Sequence, residues 1–75
     1  MEAPKSPLDR AIELCGGQAA LAREIGTKQQ NVAYWRTAVK GVPAEMAPMI
    51  EEAVQGQVTR QELRPDVFGQ PERVA

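Results

Sequence analysis

The sequence contains no histidine and a single cysteine among its 75 residues. Without an imidazole base, neither a Ser-His-Asp nor a Cys-His nucleophile can be assembled. Without clustered Cys and His a zinc finger is excluded, and one cysteine cannot form the disulfides of a stapled scaffold. Gly16 and Gly17 are not followed by the lysine and serine of a P-loop. We therefore expect a protein that is not an enzyme and that binds no metal and no cofactor.

Long apolar runs are also missing, since none approaches the roughly 20 residues that span a bilayer. Residues 1–7 contain no apolar segment of the kind found in secretory signals. We expect a cytoplasmic protein with no membrane partner. The length allows one domain over residues 1–75, with an ordered core at about residues 6–68 and a frayed tail at residues 69–75. The apolar content of 43% is typical of a globular fold.

The charges are balanced overall but unevenly distributed along the chain. Nine basic and ten acidic side chains give a net charge of −1, whereas small DNA-binding domains are usually basic. Residues 18–40 nevertheless carry a net charge of +3, from Arg23, Lys28, Arg36 and Lys40 against Glu24 alone. The remaining residues carry −4. Positive charge is therefore concentrated in the middle of the chain.

Capping residues, prolines and glycines predict an all-α fold, a compact bundle of about five short helices. The first helix is capped by Ser6, has Pro7 at its first position and Asp9 in a capping box, and stops at Gly16. The others are predicted at about Gln18 to Ile25, at Thr27 to Thr37 with Thr27 as N-cap, from Pro43 to Gly56, and at Arg60 to Arg64 before Pro65.

The sequence also predicts how several side chains beyond the helix ends are packed or exposed. Pro48 predicts a kink or a loosened first turn in the fourth helix. Val39 extends the apolar stripe of the third helix, while Val67 and Phe68 are expected to close the core. Cys15 is expected to be a small buried apolar residue. Three acidic side chains are expected on a solvated face, with a partner surface as the alternative: Glu45, Glu51 and Glu52.

Residues 18–37 have the spacing of a helix-turn-helix, in which two short helices cross at a small residue and are joined by a glycine turn. Ala22 is the small residue, and Gly26 occupies the turn. Val32 and Trp35 are the two apolar residues on the second helix that point back at the first. Because all four positions are filled correctly, the motif is predicted with Ala22, Gly26, Val32 and Trp35 as its core.

The outward face of the second motif helix follows from its periodicity. At about 100° per residue, Gln30, Ala33, Tyr34 and Thr37 lie within about 50° of the direction opposite Val32 and Trp35. Glutamine bonds an adenine edge, lysine bonds guanine, and the helix N-terminus enters the major groove first. We therefore predict double-stranded DNA as the partner, with these base-contacting residues: Lys28, Gln29, Gln30, Ala33 and Tyr34.

Polar and basic side chains around this face are the candidate phosphate contacts. Gln18 opens the first motif helix, where backbone N–H groups suit a phosphate. Such contacts set the register on DNA without reading its sequence. The full predicted set is Gln18, Arg23, Asn31, Arg36, Thr37 and Lys40. One short helix reads only about four base pairs, so we expect a homodimer, at least on DNA, with two copies about 34 Å apart.

The chain resembles the lambda-repressor-like helix-turn-helix class, Cro repressors in particular, and more closely the YdaS-like, Cro-type prophage regulators. The residues that carry the resemblance are GGQAALAREIG at 16–26, QQNVAYW at 29–35, VPAE at 42–45 and IEEAVQGQVTRQELRPDVF at 50–68. The resemblance implies a homodimer that binds a palindromic operator and represses a phage promoter. It places Lys28 to Gln30, Ala33 and Tyr34 at base-facing positions and Gln18 at a phosphate-facing one. After Gly56 we expect helix rather than the strand hairpin of some Cro proteins.

An alternative function remains open from the sequence. An antitoxin-like protein-binding module would neutralise a toxin-like partner protein and could also regulate its own operon. It would depend on Glu45, Glu51 or the tail rather than on Lys28 and Gln30.

Overall fold

The computed structural model describes residues 6–39 and 41–69, and within them it contains six α-helices, one 3₁₀ turn and no strand. The helices are α1 (Pro7–Cys15), α2 (Gln18–Ile25), α3 (Gln29–Thr37), α4 (Ala47–Ala53), α5 (Arg60–Leu63) and α6 (Pro65–Phe68), and the 3₁₀ turn spans Ala44–Met46. The all-α prediction is confirmed, including helix rather than hairpin after Gly56. None of the described helices is long and apolar enough to cross a membrane.

The helices number six rather than about five because the C-terminal segment contains two. Helix α5 ends at Leu63, Arg64 leaves the helical conformation, and Pro65 opens α6 at its first position. The first position of a helix needs no N–H within the helix, so a proline is tolerated there. Pro65 therefore ends α5, as predicted, and also begins α6. The predicted frayed tail, apart from Gly69, lies outside the described residues.

Helix α1 has the predicted ends. The Ser6 hydroxyl accepts a hydrogen bond from the Asp9 backbone N–H at 3.1 Å. Gly16 adopts a left-handed conformation, and the N–H groups of Gly16 and Gly17 bond the carbonyls of Glu13 and Ile12. This pairing satisfies carbonyls that the helix end would otherwise leave open.

The predicted start of the third helix at Thr27 is wrong, since α3 begins at Gln29 and Lys28 is its N-cap. The reason lies in the preceding turn. Gly26 has a φ of 76°, and the Thr27 N–H still bonds the Ala22 carbonyl at 2.9 Å, so Thr27 belongs to the end of α2. Its hydroxyl accepts a hydrogen bond from the Asn31 side chain at 2.9 Å instead of capping α3.

The predicted fourth helix is divided. Residues Ala44–Met46 form a 3₁₀ turn, and α4 then starts at Ala47, which places Pro48 in its first turn. Proline is tolerated there because the first N–H groups have no partner within the helix. The loosened first turn is therefore seen, and among the described residues no proline lies in the middle of a helix. The helix ends at Ala53, three residues before Gly56.

Helix α2 lies at the centre of the core and packs against α1, α3 and α4. The buried apolar side chains come from helices α1 to α4 and from the loops that follow α3 and α4: Leu8, Ala11, Leu21, Ala22, Ile25, Val32, Trp35, Val42, Ala47, Ile50, Val54 and Val58. Cys15 is only half-buried. Burial, together with the charge of Glu24, raises the pKa of its thiol.

Three apolar predictions do not match the observed packing. Val39 is fully exposed, because α3 ends at Thr37 and the chain turns away from the helical stripe. Val67 is 49% exposed, so it does not close the core. Phe68 is half-buried and lies over the guanidinium of Arg60, with 5.8 Å from the guanidinium carbon to the ring centroid.

Arginines fasten the C-terminal segment to the rest of the bundle. The buried Arg64 donates to the Val42 carbonyl at 2.8 Å and to both carboxylate oxygens of Asp66 at 2.7 and 2.9 Å. Arg10 of α1 donates to the Gln57 carbonyl at 2.9 Å. These bonds tie the loop after α3 and the loop before α5 to distant parts of the chain.

Glu51 does not lie on a free solvated face, which corrects one expectation. Its carboxylate accepts from the Arg60 side chain at 2.7 Å and from the Arg60 backbone N–H at 3.3 Å. These hydrogen bonds hold the pKa of Glu51 below its usual range. Glu45 and Glu52 are exposed as expected.

The turn after α4 contains backbone strain that a substitution can remove. Gln55 has a φ of 55°, a left-handed conformation that costs a residue with a Cβ about 1–2 kcal/mol. We expect Gln55→Gly to raise the free energy of unfolding by about 0.5–1 kcal/mol after the entropic cost of glycine. Gln57→Gly is the control and is expected to destabilise, because Gln57 is not at positive φ. Urea unfolding of both variants measures the difference, and equal effects would contradict the assignment of strain.

The Glu51 and Arg60 contact predicts a pH dependence of stability. A carboxyl whose folded pKa is lowered stabilises the fold fully above its unfolded pKa of about 4.3, and that stability is lost as the pH falls through the folded value. We expect Glu51→Gln to cost about 1 kcal/mol at pH 7 and progressively less below pH 4. Thermal unfolding across this range measures the effect, with Glu52→Gln as control. A cost that stays constant down to pH 2 would contradict it.

Candidate nucleic-acid interface

The crossing of α2 and α3 is built from the four residues that the motif required. Ala22 and Val32 are 3% and 0% exposed, and Trp35 is 8% exposed. Gly26 ends α2 in the left-handed conformation that lets the chain reverse direction toward α3. One side of α3 is therefore held rigidly against α2, and the rest of the helix faces solvent.

All five predicted base-contacting residues lie on the solvent side. Lys28, Gln29, Gln30, Ala33 and Tyr34 are exposed, and Tyr34 is 66% exposed despite its aromatic ring. In the described part of the chain, no ion pair or side-chain hydrogen bond occupies Lys28, Gln29 or Gln30. The amide and ammonium groups of α3 are therefore free to meet a hydrogen-bonding surface.

Some of the side chains predicted to contact phosphate are free, and others already form hydrogen bonds within the protein. Arg23 is exposed and without an ion pair among the described residues, and Gln18 is the half-buried first residue of α2. Thr37 donates to the Tyr34 carbonyl at 3.1 Å, and Asn31 donates to Thr27. The prediction for Lys40 lies outside the described residues.

Arg36 also has a partner, and the sequence does not predict which residue it is. Its Nε donates to Oδ1 of Asp9 in the first turn of α1, at 2.8 Å and 27 residues away in the chain. Asp9, which lies outside residues 18–40, therefore neutralises part of the positive charge that the sequence concentrates in that range. The sequence predicts Asp9 as part of a capping box on α1, but only the Ser6 half of that box forms, and the Asp9 carboxylate bonds Arg36 of α3 instead.

The two motif helices differ from α1 and α5 at their N-termini. Ser6 and Thr59 cap α1 and α5 with side-chain hydrogen bonds, and Thr59 forms a full capping box with Glu62. Neither Gly17 at α2 nor Lys28 at α3 provides such a bond. The first N–H groups of both motif helices are thus left to solvent or to an anion.

The fold and this arrangement of α2 and α3 define a helix-turn-helix protein. The chain belongs to the family described as "Bacterial toxin YdaS", whose model matches residues 8–72.

Two similar proteins carry names that bear on function. One, from Escherichia coli strain K12, is named as a transcriptional regulator, YdaS; it is 43% identical over 58 residues, which are 77% of this chain and 59% of that protein. The chain therefore spans 59% of the length of this curated relative. The other is the structure of the Cro protein assigned to the prophage element Xfaso 1 of Xylella fastidiosa strain Ann-1. It matches with a TM-score of 0.79 and 42% identity, over 87% of this chain and 98% of that one.

Proposed function

We propose that this protein is a sequence-specific DNA-binding transcriptional repressor of the Cro type, which acts in the cytoplasm on a prophage or bacterial regulatory region. The observation that carries the proposal is the solvent face of α3, where Lys28, Gln29, Gln30 and Tyr34 are exposed on a helix whose other side is buried. An α-helix fits the major groove of B-DNA, where amide and ammonium groups distinguish base pairs. The names of the two similar proteins support the same class of function.

The proposed complex places the N-terminal end of α3 in the major groove. Gln29 and Gln30 bond adenine edges, Lys28 bonds guanine, and Ala33 and Tyr34 contact thymine methyl groups or the adjacent backbone. Gln18, the open N–H groups of α2 and the free Arg23 hold phosphates. Asn31, Thr37 and Arg36 already bond Thr27, the Tyr34 carbonyl and Asp9, so a phosphate would share these side chains with their present partners or replace those partners.

A homodimer on a palindromic operator is part of the proposal. One α3 helix contacts about four base pairs, and each mismatch costs roughly 1–3 kcal/mol, which is too little discrimination in a genome. Two copies one helical turn apart double the site. Repression then follows by steric exclusion of RNA polymerase from the promoter.

The readout prediction concerns two glutamines. Selection of bound DNA from a random pool is expected to yield a palindrome with half-sites about 10 base pairs apart. On that operator, replacing both Gln29 and Gln30 with Ala should lower the ratio of specific to random binding at least tenfold, because each bidentate pair contributes about 1–3 kcal/mol. Gln57→Ala, an exposed glutamine outside the motif, is the matched control. If the double variant still prefers the operator as strongly as the wild type, the readout assignment is wrong.

The phosphate contacts predict a steep salt dependence. Each neutralised phosphate lowers the slope of log affinity against log salt by about 0.9. We expect Arg23→Gln to make this slope less steep, by up to about 0.9 unit for the lost phosphate contact. Fluorescence anisotropy between 50 and 200 mM salt measures it. A wild-type affinity that does not change over this range would contradict DNA binding through phosphates.

The family description favours a second candidate function, since it names a bacterial toxin. In that case the chain would act through a protein partner, by an acidic or apolar face that includes the exposed Glu45 and Glu52. Expression in a bacterial host separates the two candidates. Growth inhibition that persists after replacement of Gln29 and Gln30 with Ala favours a protein partner, and inhibition that disappears favours action on DNA.

A further inference from the structure

The contact between Asp9 and Arg36 joins the first turn of α1 to the last turn of α3. Arg36 Nε lies 2.8 Å from Asp9 Oδ1, and the two side chains are 46% and 35% exposed. Arg36 stands on the flank of the proposed DNA-binding helix, beside the exposed face that holds Gln29 and Tyr34. A carboxylate therefore sits against a cation that could otherwise meet a phosphate.

This pair differs from the other arginine pairs in the described part of the chain. Arg64 also donates to the Val42 carbonyl, Arg10 also donates to the Gln57 carbonyl, and Arg60 also lies over the ring of Phe68. Those additional contacts fasten separate segments of the fold. Arg36 has a single bond to Asp9 among the described residues, so its guanidinium can bond another anion with little effect on the fold.

Carboxylate and phosphate are competing ligands for a guanidinium, since both accept its charged hydrogen bonds in the same geometry. An ion pair that is more than one-third exposed on both sides is weak, at about 0–1 kcal/mol. A DNA phosphate beside α3 can therefore displace Asp9 from Nε, or bind the Nη groups while Asp9 still neutralises the guanidinium; either contact is weaker than one to an unpaired arginine. Asp9 also remains as a negative charge within a Debye length of that phosphate, about 10 Å at 0.1 M salt.

We propose that Asp9 competes with DNA phosphate for Arg36 and so limits the affinity of the protein for DNA of any sequence. This inference rests on the proposed function. Because phosphate contacts carry no sequence information, the limit acts on random DNA and operator alike. Arg23 and Lys28 are the cations of the described motif helices without an ion pair among the described residues, and Arg36 is a third cation that Asp9 holds back.

Removal of the Asp9 carboxylate tests the proposal in the full chain. Asp9→Asn keeps the backbone N–H that bonds Ser6. It is expected to raise affinity for both DNA types by up to about eightfold at 0.1 M salt and to steepen the salt slope by about 0.9. Asp9→Ser is a second variant with the same expected gain. Glu52→Gln makes the same change in net charge on α4 and is expected to alter affinity by less than twofold, because the charge lies outside the motif.

A double-mutant cycle separates competition from simple repulsion. In an Arg36→Gln background, Asp9→Asn should give a much smaller gain, since the cation it releases is absent and only the repulsion between Asp9 and phosphate is removed. The proposal is overturned if Asp9→Asn binds like the wild type, or if its gain is the same in both backgrounds. Failure of the proposed function has a different signature, because the wild type itself would then show no salt-dependent binding to any DNA.

Discussion

Helix α2 must bury one face against three neighbours, and the positions of α1, α3 and α4 follow from this constraint. With only eight residues it offers Leu21, Ala22 and Ile25 to these helices. In a chain this short the core is small, so the residues that stabilise the fold also set the angle of α3. A larger side chain at Ala22 would push α3 away, because a closely packed core does not accommodate extra methylenes without strain.

The proposed site is a consequence of that packing. Since Val32 and Trp35 are held in the core, the remaining directions around α3 have to face solvent, and the polar residues occupy them. The exposure of Lys28, Gln29 and Gln30 is set by the core on the other side of the helix rather than by contacts of their own. Rigid support of this kind places the backbone of long, flexible side chains in a defined register.

Local signals predict most helix ends, and the errors arise where residue type and spacing do not decide which backbone or packing contact forms. Ser6 and Gly16 act on atoms within five residues, so their effects are visible in the sequence. Thr27 is not the N-cap of α3 because its N–H bonds back to the Ala22 carbonyl. The turn after α2 therefore includes a residue whose type alone favours an N-cap. Val39 and Val67 follow the apolar spacing but are exposed, because periodicity does not reveal where a helix ends or what packs beside it.

The contact between Asp9 and Arg36 changes the charge argument in the same way. Along the chain the cations of residues 18–40 are concentrated, but in space an acid from α1 joins them. Arg10 is likewise directed away from the motif, toward Glu62 and the Gln57 carbonyl. The free positive charge of the motif is therefore smaller than the sequence indicates. For the proposed function this means that few cations support nonspecific affinity, so the proposed selectivity depends on base contacts and on two copies of α3 at one operator.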